Sequence, residues 1–283
     1  MARPHSLTPA GIRIQARDIR HEFDSHIPRF WANANPVLTA FYNALSTVIP
    51  AGEKFFMQSV RDVMPQIDDE QLRADVKGFF AQEGRHRSEH ESLNDWIRSQ
   101  GYPLQKYDGC IQRLLNFMNR WFPARHCLAS TLALEHLSAL LTDEYLRNPG
   151  VRENLHPAMQ RFFVWHSIEE NEHKGVPFDV YQQVSGSYWV RIVQMLLTTV
   201  LFGFAIAFIQ ARYLWHDRQF FNLKAWIGAT GYFLISPAWF LRTVPGYLRY
   251  FKPGFHPWQH DNSQLIQQWI TRLEQQDTVI PRC

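Results

Sequence analysis

Apolar positions recur at helical spacing along most of the chain. Val37, Leu38, Phe41, Leu45 and Val48 follow Asn35-Pro36, a helix start with proline in the first turn. Pro50-Ala51-Gly52 interrupts, so a second segment is expected from Glu53 to about Met64, with Glu53 in its first turn. Asp68-Asp69-Glu70 opens a long helix through Val76, Phe79, Phe80 and Leu93 that stops at Gly101. A connecting helix, about Asp108–Trp121, precedes Pro123, and the next carries Leu128, Leu132, Leu134, Leu137, Leu140 and Leu141 as far as Pro149-Gly150. Pro157 begins another, which continues through Phe178, Val180 and Tyr181 to Ser185-Gly186-Ser187. Residues 1–35 lack helical period. Ile12, Ile14 and Ala16 alternate with Arg13, Gln15 and Arg17, which permits a short edge strand, but the stretch reads better as an arm over a surface and is assigned no chemistry.

After Gly186 the character changes. Val190–Ile209 holds no charge except Arg191, and about 20 apolar residues suffice to span a bilayer as a helix. Arg191 and Arg212 mark its ends, where they can snorkel. A second stretch, Ala225–Leu241, contains Gly228, Gly231 and Pro237 and is a poorer span, while Trp226, Tyr232, Trp239 and Tyr247 suit an interface. Amphipathic Gln259–Gln276 closes the chain. The expected architecture is all-α: an N-terminal arm (1–35), a four-helix bundle (36–187), an apolar helical hairpin (188–252) and a C-terminal tail (253–283). The hairpin can cross a membrane, lie in its plane, or form a greasy surface for dimerisation or substrate entry.

Charge sharpens this picture. The net charge is only +3, and nothing calls for nucleic acid. Residues 1–187 carry 20 basic against 22 acidic residues, whereas residues 188–283 carry nine against four. The basic part is also the apolar part, which points to a membrane. Cys110, Cys127 and Cys283 are scattered without Cys-x-x-Cys spacing and fit a reducing compartment. Met1-Ala2-Arg3-Pro4-His5 begins no apolar signal region. The expected location is the cytoplasmic face of an inner membrane, on it or in it.

The candidate chemistry centres on Trp165–His173. His166, Glu170 and His173 stand at i, i+4 and i+7 and share one helix face. Glu170-x-x-His173 pairs with an upstream Glu83-Gly84-Arg85-His86, and Glu53 and Glu135 lie in separate apolar helices. The order Glu, Glu-x-x-His, Glu, Glu-x-x-His is the ligand set of a carboxylate-bridged di-metal bundle. Roughly 0.6 such pairs are expected by chance at this composition, and three occur. The third, Glu153–His156, is discounted because Pro157 pushes His156 out of helical geometry. Glu135 is flanked by apolar residues and is costly to bury unless paired or metal-bound. Glu53 has a plainer alternative as a favourable charge in a first turn. Glu169 can compete with Glu170 for His173, but only Glu170 also stands one turn from His166. Glu172 reads as a surface or supporting residue, Glu89 and Glu91 as solvated, His90 as a hydrogen-bonded core or supporting histidine, and His136 as structural.

Carboxylates and imidazoles are hard-to-borderline donors, so two metal ions are expected, iron first, with manganese or zinc as alternatives. Glu135 and either Glu53 or Glu170 are expected to bridge, His86 and His173 to hold one ion each, and His166 to be a third imidazole donor. Iron would suit O2 chemistry; redox-inert ions would lower the pKa of a bridging water for hydrolysis. The helical Glu-x-x-His scaffold favours the first by analogy. The leading expectation is an O2-dependent oxidase or oxygenase acting on a hydrophobic or membrane-associated small molecule and fed by an electron donor. The alternative is a metal-dependent hydrolase at the same site, and the third reading a non-catalytic metal-binding membrane protein. Serine-hydrolase, P-loop and Rossmann fingerprints are absent from the sequence.

The chain resembles the bacterial family labelled predicted metal-dependent hydrolase. The resemblance spans roughly residues 12–265 and is carried by Phe41–Phe56, Gln82–His90, Ala133–His136, Trp165–Tyr181 and Lys252–Trp258. It implies a ferritin-like bundle with a metal site. The triplet His166, Glu170, His173 is also similar to the motif of the di-iron arylamine N-oxygenases. That likeness implies Glu53, Glu83, His86, Glu135, Glu170 and His173 as six shared ligands and His166 as an extra one. The apolar C-terminal third does not follow those enzymes.

Overall fold

The computed structural model describes residues 6–279. Met1–His5 and Cys283 lie outside the described residues.

Four helices form a ring. They are α1 (Pro36–Arg61), α2 (Glu70–Ser99), α4 (Ala124–Arg147) and α6 (Pro157–His173). α1 packs against α2 and α4, and α6 closes the square against the same two. Between them α3 (Leu104–Trp121) lies outside on α1, and α5 (Pro149–Arg152) is a single turn beside α4. α7 (Val176–Val184) packs on α4 and α2, and α8 (Tyr188–His216) lies along α1 and α4. α9 (Leu223–Leu234) rests on α1, α10 (Trp239–Arg249) on α4, and α11 (Ser263–Val279) on α6. From Pro36 onward the chain is predominantly helical, with no strand among the described residues, as its periodicity predicts. Ile12, Ile14 and Ala16 form no edge strand; residues 12–20 run irregularly across α2 and α6. Gly78 permits the crossing, because a Cβ there would collide with the carbonyl of Ile14.

Three boundaries differ from the sequence pattern. α1 runs unbroken through Pro50, so Glu53 sits in mid-helix and not in a first turn. The cause is tertiary. Pro50 has no N–H for the carbonyl of Ser46, one turn back. Asn94 of α2 replaces it, donating from Nδ2 to that carbonyl at 2.9 Å, while Ser46 Oγ donates to Asn94 Oδ1 at 2.9 Å. Asn94→Ala leaves both Ser46 groups short of a buried partner and is expected to cost about 1–3 kcal/mol, read as a lowered denaturant midpoint at unchanged slope. Next, α6 ends at His173, and α7 begins only at Val176. Gly175 at this break lies so close to Trp258 that a Cβ would come within 2.7 Å of its Nε1.

The third difference concerns the apolar third. α8 is 29 residues long and reaches a mean hydropathy of 2.3, enough by length and composition to cross a membrane. The second stretch breaks into α9 and α10, of 12 and 11 residues, each too short to span. Arg191 does not snorkel. It is buried, donates to the carbonyls of Tyr250 and Lys252 at 2.8 Å each, and lies over the Tyr250 ring. Arg212 is exposed.

Candidate metal centre

Each wall of the ring contributes. α1 supplies Glu53, α2 supplies Glu83 and His86, α4 supplies Glu135, and α6 supplies His166, Glu170 and His173. All seven are at most 6% exposed. The helical spacings read from the sequence explain why they meet: residues three, four and seven apart share a face, and each face points to the axis. Glu53, His86 and His166 bring donor atoms within 4.8 Å of one another, as do Glu83, Glu135 and His173, and as do Glu83, His86 and Glu170. The first two groups make two lobes and the third joins them.

The distances assign the joining role. Glu83 Oε1 lies 3.6 Å from His86 Nδ1 and 3.3 Å from His173 Nε2. Glu170 reaches the same two imidazoles at 3.2 and 3.8 Å and His166 Nε2 at 3.4 Å. Glu135 sits 3.2 Å from His173 and belongs to one lobe, and Glu53 belongs to the other. Glu83 and Glu170, not Glu135 or Glu53, therefore stand between the lobes, each reaching both His86 and His173.

Carboxylates rarely lie this deep without partners. Both oxygens of Glu53, Glu83 and Glu135, with His86 Nδ1, His166 Nδ1 and His173 Nε2, are buried and have no hydrogen-bond partner among the described residues. The carboxylate oxygens with His86 Nδ1 and His173 Nε2 converge on one shared volume, and His166 joins it through Nε2, 3.4 Å from Glu170, so the donor set fits divalent cations. The outward nitrogens, by contrast, are held. His173 Nδ1 donates to Gln82 Oε1 at 3.0 Å, and His86 Nε2 donates to Glu169 Oε2 at 3.1 Å. Each bond fixes the tautomer that leaves a lone pair on the nitrogen facing the centre.

This supporting layer is where sequence reading fell short. Glu169 turns away from His173 and takes hydrogen bonds from His86, Trp165 Nε1 and the backbone N–H of Arg17. Glu172 is buried, and Arg17 Nη1 and Nη2 donate to it at 2.9 and 2.5 Å. Gln82 Nε2 donates to Glu172 at 2.7 Å, which sets the amide so that its oxygen meets His173. The N-terminal arm thus carries chemistry after all. It also buries Glu89, expected to be solvated, through His21 Nδ1 at 3.0 Å; Glu91 is exposed. His90 donates from Nδ1 to Ser46 Oγ at 3.0 Å and stays outside the donor groups. His136 packs against Tyr250 and Phe255, and His156 caps α6, so neither joins the site.

The electrostatics follow from crowding. Burial, then the charge of Glu83, pushes Glu53 well above the usual carboxylate range and Glu135 up to about 8. Burial and then Glu170 raise Glu83. Burial also works against the charged form of Glu170, but His166, His86 and His173 outweigh it and pull Glu170 down. His173 is disfavoured as a cation by burial, yet Glu135, Glu170 and Glu83 lift it to about 9. Burial, then His86, drops His166 to about 3. Stability should therefore depend on pH in a definite direction. Raised carboxyls and raised imidazoles both bind protons more tightly when folded, so metal-free protein loses stability as pH rises from about 6.5 to about 9. Among the groups of the centre, the depressed ones have already saturated below that window; Lys174, lowered to about 7 by burial, works against the trend above pH 7. Metal-loaded protein should show the opposite slope, since cations displace those protons. Parallel slopes in pH-dependent melting of the two forms would contradict this.

An apolar cavity of about 230 Å³ opens onto the centre. Glu53, His166 and Glu170 form its inner end; Phe55, Leu134, Leu137 and Phe202 line its body, and Leu114 and Leu201 its outer end.

Comparison with known proteins places one family over this chain. The family described as predicted metal-dependent hydrolase matches residues 15–261. That description favours the hydrolytic alternative and lends no support to the oxygen-dependent reading. No curated protein and no solved structure matches.

Proposed function

Because the chain belongs to the predicted metal-dependent hydrolase family, we propose that it hydrolyses a hydrophobic small molecule at a di-metal centre held by Glu53, Glu83, His86, Glu135, His166, Glu170 and His173. The observation that carries the reading is the set of orphaned, buried donor atoms facing one volume at the end of an apolar cavity. Divalent cations bound there would act as Lewis acids and lower the pKa of a water.

The chain's own groups define the rest. The apolar lining orients the substrate and keeps bulk water from the reacting carbonyl or phosphoryl group. Ser167 and Thr142 are two of seven hydroxyl side chains in the lining, groups that can steer a polar head. Glu53 borders the cavity, so a substrate bound there lies against one of the groups that would hold the cations. Gln82, Glu169 and Arg17 keep His173 and His86 in one orientation throughout.

Zinc- or manganese-loaded protein should cleave activated esters of apolar acids under strictly anaerobic conditions, and faster than their short-chain analogues. Turnover that appears only with O2 would overturn the hydrolytic reading.

A further inference from the structure

We infer that the exposed apolar face built by α3, α8 and α10 docks in the plane of an anionic phospholipid bilayer, with the mouth of the active-site cavity opening onto it. Along α8, Trp189, Val193, Val200, Phe204, Phe208 and Trp215 are all exposed and stand four or seven residues apart, so they form one outward stripe. The stripe is continuous with its neighbours. Tyr107 of α3 meets the Phe208 ring, and Thr199 of α8 meets Tyr247 of α10 at 3.2 Å. Phe117 and Trp121 extend the surface on one side, and Leu241 and Leu248 on the other. A patch of this extent exposed to water marks an interaction surface.

Charge decides the occupant. Between Tyr188 and Lys252 the acidic residues are Asp217 alone, and Arg29 and Tyr102 already engage it. The basic residues Arg212, Arg218, Lys224, Arg242, Arg249 and Lys252 are all exposed. Arg242 and Arg249 alternate with Leu241 and Leu248 on α10, the composition of a helix that lies in a lipid interface. A second copy of the chain would set these cations against their own kind, whereas anionic headgroups neutralise them.

Packing decides the orientation. The inner face of α8 is seated on α1 and α4 and is pinned by polar bonds. Gln210 Nε2 donates to the Val37 carbonyl at 3.0 Å, and the Tyr213 hydroxyl meets Thr47 Oγ1 at 2.8 Å. Withdrawing α8 to cross the bilayer would break these and uncover the bundle core, so it lies flat. Leu114 and Leu201, half-exposed on this face, also frame the outer end of the cavity. An apolar substrate dissolved in the bilayer can then reach Glu53 and Glu170 without crossing water. Docking itself does not depend on the chemistry proposed above, which metal content and turnover report separately.

The test is flotation of the full-length, metal-loaded protein with vesicles of phosphatidylcholine alone and of phosphatidylcholine with phosphatidylglycerol. Wild type is expected to float with the anionic vesicles and to be released by salt. Arg242→Gln with Arg249→Gln should weaken binding by roughly tenfold or more, and Val200→Glu with Phe204→Glu should abolish it, with circular dichroism and metal content unchanged in both. Wild type that stays unbound to anionic vesicles, or a Val200→Glu/Phe204→Glu protein that floats like wild type, overturns the proposal. So does a lipid-free wild-type dimer that the glutamate pair splits into monomers, since a second copy would then cover the face.

Discussion

Glu135→Ala is expected to yield a folded protein without stoichiometric metal. Glu135 is the only donor from α4, and with Glu83 and His173 it forms one lobe of the centre. Its removal leaves that lobe one carboxylate and one imidazole. The fold should survive, because the 3.2 Å pair with His173, itself part of the centre, is the contact Glu135 has to lose, and its oxygens bond to no group of the surrounding core among the described residues. The metal-free state should even gain. Four buried carboxylates share the volume, and burial with the charge of Glu83 already lifts Glu135 to about 8. Replacing it by glutamine removes one repelling charge, and metal-free Glu135→Gln is expected to be about 1–3 kcal/mol more stable than metal-free wild type at pH 8. Urea titrations of the two chelated proteins measure this. A glutamine variant less stable than wild type would mean that Glu135 serves the fold and not a ligand.

Arg17→Met is expected to have the opposite signature, losing both stability and metal. Arg17 is the one cation bonded to Glu169 and Glu172 among the described contacts, and both carboxylates are buried. Truncation leaves two charges in a poorly solvated layer. With a fifth of the guanidinium side chain exposed, the cost should fall near the lower end for a broken buried pair, about 3 kcal/mol. The same change frees Glu169 from its orientation and so loosens His86, which should weaken metal affinity by roughly 10–100-fold. Competitive chelator titration reads the second effect. Arg17→Lys should recover part of the stability but less of the affinity, because an ammonium cannot bond both carboxylates in the fork geometry of a guanidinium.

The two variants mark the boundary of what the sequence could reveal. The meeting of these side chains was legible because residues on one helix obey local spacing. Glu83 with His86, and His166 with Glu170 and His173, are separated by three, four or seven residues, and that arithmetic survives folding unchanged. The long helices were legible for the same reason. The supporting layer was not, because its partners are remote in the chain. Arg17 and Glu169 are 152 residues apart, and no local period joins an irregular arm to a helix near the middle of the protein. Pro50 misled in the same manner: its missing donor is replaced by Asn94, more than forty residues away, so a boundary sound in isolation disappears on packing. The break in the second apolar stretch between α9 and α10 was foreshadowed by Pro237, whereas the burial of Arg191 beneath Tyr250 had no signal at all. Which carboxylates stand between the lobes also had to await the distances, since a sequence gives faces but not depth along the bundle axis.

The central claim is that these seven side chains hold metal. Elemental analysis of protein purified from cells supplied with iron, manganese and zinc tests it most directly, alongside Glu135→Ala and His173→Ala with circular dichroism as a control for folding. The predicted result is about two divalent ions per wild-type chain and loss of stoichiometric metal from both variants at wild-type helicity. Folded wild-type protein without stoichiometric metal, or either variant with a full complement, would contradict it.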